Sequence, residues 1–103
     1  MAIFGIGTNE NKSDSGELKG QIYPVACKTW FTSTGAVRPL SFKFEGDDGQ
    51  IQTVENLTVK YVDSKNYSGI PSKVYGCEAI IGGLRNSFQL VFFLEECKWV
   101  MTL

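Results

Sequence analysis

The feature that most constrains this chain is a hydrophobic period of two that recurs from Val25 onward. In RPLSFKFE, Leu40, Phe42 and Phe44 alternate with Ser41, Lys43 and Glu45. A strand sends successive side chains to opposite faces, so such a run has one buried face and one wet face, as antiparallel sheets do. NSFQLVFFLE repeats the pattern through Phe88, Leu90, Phe92 and Leu94, and CKWVMTL through Cys97, Trp99, Met101 and Leu103. Leu57, Val59 and Tyr61 form a matching stripe, as do Tyr75, Cys77, Ala79 and Ile81. Earlier, Val25, Cys27, Thr29 and Phe31 alternate with Ala26, Lys28 and Trp30, and either set suits the inside. No stretch carries a sustained helical stripe.

Punctuation falls between these runs. Ser33-Thr34-Gly35-Ala36, Gly46-Asp47-Asp48-Gly49, Gly82-Gly83 and Glu95-Glu96 are short links, and residues 64–71 form one longer loop. Pro24 and Pro39 sit near strand beginnings, where a missing N–H is tolerated. The expected fold is all-β: a single small antiparallel β-barrel or curled six-stranded meander of SH3 or OB size, over residues 21–103. Closure would protect its edges. Residues 8–20 are polar and lack aromatics, so residues 1–20 are expected to form a flexible N-terminal segment. Its apolar start, MAIFGIG, either adds a short edge strand or stays loose.

A length of 103 residues fits one small domain. Ten basic and eleven acidic residues leave a net charge of −1, and from Gln21 onward the count is eight of each. That balance is no electrostatic footprint for nucleic acid. No apolar run approaches the roughly 18 residues of a spanning helix, and the opening has no basic region typical of a signal peptide. Three cysteines without CxxC spacing indicate a reducing, cytoplasmic setting. Matches to the glycosylation pattern at Asn11, Asn56 and Asn66 carry no weight there.

Chemistry is sparse. Glu45, Asp47 and Asp48 are the tightest acidic cluster, but an Asp-Gly pair between alternating runs is a hairpin signal, and calcium needs more oxygens than this loop offers. The chain has no histidine, which removes Ser-His-Asp and Cys-His nucleophile systems. Cys27, Cys77 and Cys97 lack zinc-knuckle spacing, and Cys77 and Cys97 fall on inward faces, where cysteine packs as a small apolar residue. Asp47-Asp48 and Glu95-Glu96 read as solvated turn charges, not an acid/base pair. Gly82-Gly83-Leu84-Arg85 leads into a strand rather than a helix, unlike a phosphate loop. No enzyme activity, metal or cofactor is therefore expected.

The surplus is aromatic. Trp30 alternates opposite to Phe31, and Phe93 opposite to Phe92, so each pair sends a ring to both faces of the sheet. One ring of each pair lies outside the main core or in a second layer, and exposed apolar patches usually mark contact. The expected function is a non-catalytic module that binds a protein partner, or itself, through an aromatic sheet face or a sheet edge. Trp30, Phe93, Arg38 and Lys43 are its candidate contacts. A small barrel binding single-stranded nucleic acid is the alternative, and it needs the scattered Lys28, Arg38, Lys43, Lys60, Lys73, Arg85 and Lys98 to converge beside the rings.

Lys28-Thr29-Trp30-Phe31, Val37-Arg38-Pro39-Leu40 with Phe42-Lys43-Phe44, Cys77 to Gly83, and Glu96-Cys97-Lys98-Trp99 together resemble segments of short, uncharacterised β-rich proteins from gut-type Gram-positive bacteria. These are often carried near mobile elements. The resemblance covers about residues 22–103 and carries over no functional residue. It implies a bacterial cytoplasmic setting, and it adds a counter-defence inhibitor from a phage or mobile element as a further alternative.

Overall fold

Each alternating run becomes a strand in the computed structural model, which describes residues 16–103. The strands are β1 (Ile22–Phe31), β2 (Val37–Glu45), β3 (Ile51–Val54), β4 (Thr58–Tyr67), β5 (Ile70–Ile81), β6 (Leu84–Phe93) and β7 (Lys98–Thr102). Seven strands replace the six expected, because Ile51–Val54 pairs with Phe42–Glu45 as a short strand of its own. No helix occurs among the described residues. Residues 1–15, including the apolar start and most of the N-terminal segment expected to be flexible, lie outside the described residues. Gly16, inside that segment, accepts a hydrogen bond from the Ser68 amide at 2.8 Å.

All neighbours are antiparallel, in the order β3-β2-β1-β7-β6-β5-β4. The two outermost strands, β3 and β4, are consecutive in the chain and joined only through Glu55, Asn56 and Leu57. So short a link spans no more than about 14 Å, so the sheet must curl until its two edges meet at that end. Asn56 turns the chain there at a φ of 58°. The result is a curled half-barrel whose interior buries Phe42, Phe44, Val54, Tyr75, Cys77, Ala79, Phe88, Leu90, Phe92, Trp99 and Met101. Rings meet across it: Phe42 and Phe88 at 5.5 Å, Phe92 and Trp99 at 4.9 Å. Each such side chain removed from water contributes roughly 1.5–3 kcal/mol. On the opposite face Val74 and Val91, paired between β5 and β6, are also fully buried, so this part of the sheet is packed on both sides.

Two bulges redirect the pattern. Lys28 pairs with Ser41 and Thr29 with Pro39, which skips Leu40 and leaves it partly exposed rather than inward beside Phe42. Val59 pairs with Cys77 and Tyr61 with Gly76, which skips Lys60 and moves Tyr61 out of the expected inward stripe. An extra residue on one strand shifts every later side chain to the other face. At the strand ends Leu94 and Leu103 are exposed instead of inward, and Phe31, whose run leaves either face open, is exposed as well. Cys97 is exposed too, because it sits in the β6–β7 turn at a φ of 55°. The loop expected over residues 64–71 is mostly strand: only Ser68 and Gly69 separate β4 from β5, at φ values of 53° and 81° that suit a tight hairpin.

Candidate partner-binding site

The curl is incomplete on one side. β3 pairs only with the second half of β2, so Val37 to Ser41 have no neighbour on that edge among the described residues. β4, ten residues long, has none on its outer edge either. A cavity of about 520 Å³ lies between these two edges, lined by Val37, Pro39, Leu40, Val59, Val62 and Tyr75. Its floor is tied across by the Tyr75 hydroxyl, which donates to the Val37 carbonyl at 2.7 Å. Arg38 and Lys73 also line it. Both ion pairs among the described residues belong to Glu78, so neither of these cations is in one. The volume falls within the range of ordinary ligand pockets.

Trp30 and Phe31 stand near this seam, each 65 % exposed. Register does this: Trp30 pairs with Arg38 and Phe31 with Val37. The Phe31 ring touches Phe92 edge-on at 6.1 Å, which holds it at the mouth of the interior.

Of the four residues expected to bind a partner, the fold joins Trp30 to Arg38 as cross-strand neighbours. Lys43 is exposed further along β2, paired with Ala26 and Thr53, and lines no part of the cavity. Phe93 is half-buried between Ser72 and Lys98 and does not line it either. Sequence reasoning places Val59 in an inward stripe and Lys73 only among the cations of the nucleic-acid alternative, and it misses Val62. The available signal was TVKYVDSKNY itself, β-rich yet without strict alternation and dotted with charge, as edge strands often are.

The remaining candidates have structural partners. Asp48 accepts from the Gln50 amide at 3.0 Å, Gly49 donates to the Gly46 carbonyl at 3.0 Å, and Asp47 accepts from the Tyr23 hydroxyl at 3.2 Å. These bonds make the acidic cluster a hairpin turn. Among the described residues no three acidic or cysteine side chains gather as metal ligands would. Burial pushes the Cys77 thiol up to about 11 and raises Cys27 as well, the reverse of an activated nucleophile. Lys60, with Arg85, lowers the Glu78 carboxyl on the outer face. Beside them Tyr61 lies over Gly76 and accepts from the Gln89 amide at 2.8 Å.

No helix among the described residues is long and apolar enough to cross a membrane. Comparison with protein-family models, with curated proteins and with solved structures found no match.

Proposed function

We propose that this protein is a non-catalytic interaction module that takes up an extended segment of a partner protein at the seam, as an added strand along β4. One observation carries the reading: two strand edges without neighbours among the described residues flank one apolar cavity. Edge N–H and C=O groups supply main-chain hydrogen bonds to an added strand, and the cavity supplies pockets for its alternate side chains. Val62, 55 % exposed, and the Trp30 and Phe31 rings provide apolar surface that such a partner would cover. We read the setting as cytoplasmic, where the free thiols of Cys27, Cys77 and Cys97 are ordinary. A counter-defence inhibitor would be one case of this reading, named by the protein it holds. The test is capture from nuclease-treated bacterial lysate with wild type and Val62→Asp. A discrete protein held by the wild type and lost by the variant is expected. Retention unaffected by Val62→Asp refutes the seam as the contact.

A second reading, single-stranded nucleic-acid binding, has one observation in its favour. The β1–β2 register sets Trp30 beside Arg38, Lys28 beside Ser41 and Lys43 beside Ala26, all exposed except the half-buried Ser41, giving one basic face with a ring. Three cations and one exposed tryptophan make a short footprint for that task. Anisotropy with a labelled oligothymidylate at low salt decides it: binding weakened by Lys28→Gln and Lys43→Gln supports the face, and no binding removes it.

A further inference from the structure

We infer that the partner segment carries an acidic residue: the seam selects an extended strand with apolar residues at alternate positions and one carboxylate set between Arg38 and Lys73. This rests on the strand-addition reading above and names the chemistry of its partner. The Tyr75–Val37 hydrogen bond ties the two walls of the cavity together. Arg38, on the face it shares with Trp30, stands at the rim of one wall, and Lys73 lies two residues before Tyr75, on the same face of β5, on the other wall. None of the described residues lining the cavity is acidic. Asp63, the acid closest in sequence to Val62, pairs with Val74 on the opposite face of β5. Two cations therefore border an apolar space that no carboxylate among the described residues lines.

Like charges beside low-dielectric walls repel, and a carboxylate between them removes that repulsion while accepting charge-assisted hydrogen bonds. A neutral strand leaves the repulsion in place, and a basic strand increases it, so the same two residues reject wrong partners. A small free amphiphile with a carboxylate head would match the cations and the apolar walls. It would leave the β4 edge without hydrogen bonds, which is why the edge favours a strand.

The experiment uses fluorescence anisotropy at low salt with a labelled eight-residue peptide of alternating valine and threonine, its central valine replaced by glutamate. Glutamine and lysine peptides are the counterparts. The glutamate peptide is expected to bind about tenfold more tightly than the glutamine peptide, and the lysine peptide least. That advantage should shrink with salt and vanish in the Arg38→Gln/Lys73→Gln double variant. Circular dichroism confirms that the variant folds. Equal binding of the glutamate and glutamine peptides, or an advantage that survives the double variant, overturns the carboxylate assignment and leaves strand addition standing. Binding of decanoate with no peptide binding overturns both and makes the occupant a small amphiphile. Absence of all binding also overturns both.

Discussion

Replacing Gly76 with alanine tests the displacement of Tyr61 by the β4 bulge. Gly76 pairs with Tyr61 on one side and Gln89 on the other. A Cβ at Gly76 would overlap Cε2 and Cζ of the Tyr61 ring, so the ring must leave. Tyr61 is already 50 % exposed, and its departure returns roughly 60–80 Å² of ring to water, costing about 1.5–2 kcal/mol. The Gln89–Tyr61 hydrogen bond goes with it, about another 0.5–1 kcal/mol at an exposed site. Alanine returns about 0.5–1 kcal/mol by restricting the unfolded chain. The net loss is about 1–2.5 kcal/mol, or roughly 5–20 °C in Tm for a domain of this size. Urea denaturation of wild type, Gly76→Ala, Tyr61→Ala and the double variant isolates the cause. With Tyr61 truncated, Gly76→Ala should cost nothing or stabilise slightly. An equal loss in both backgrounds would refute the ring-over-glycine account.

Leu90→Ala removes a side chain with no exposure at the centre of the half-barrel and should cost about 3–5 kcal/mol in urea denaturation, with an unchanged m-value. Tyr75→Phe leaves the Val37 carbonyl without its hydroxyl donor and should cost about 1 kcal/mol in the same assay. In native protein at pH 8, maleimide labelling followed by mass spectrometry should modify exposed Cys97 first, half-buried Cys27 more slowly and Cys77 last. Cys77 labelled as fast as Cys97 would contradict its burial. Because burial raises the Cys77 thiol from 9.0 to about 11, the folded state keeps its proton longer than the unfolded state. That contribution is fully present below pH 9 and is lost as the pH rises through 11, so wild type should lose about 2 kcal/mol more than Cys77→Ala between those values. Parallel denaturation series on the two proteins measure the difference.

The sequence by itself determined the fold class and most of the inside. Strands have a period of two, so Phe42, Phe44, Phe88, Leu90, Phe92, Trp99 and Met101 could each be assigned inward from immediate neighbours, and all are core. The tight links were legible for the same local reason: Gly82 and Gly83 occupy φ values of 60° and 80° that glycine adopts freely. Of the site, the sequence disclosed that Trp30 and Phe31 could not both face inward, and it included Arg38 among the contacts.

Only the tertiary structure decided which strands became edges. TVKYVDSKNY hints at an edge by its charges, but Val37 to Ser41 look like any other half-buried run until the long-range β1–β7 pairing sets the order, which leaves β3 and β4 outermost. The bulges at Leu40 and Lys60 belong to the same class, since an extra residue is defined only against the partner strand it fails to match. Lys73 and Arg38 lie 35 positions apart in the chain, and their shared cavity exists because the curled sheet brings β5 to face β2. Alternation is a local property and can be read along the chain. Register, edge status and the seam are pairing properties, set by free-energy differences between whole-sheet arrangements that no short window contains.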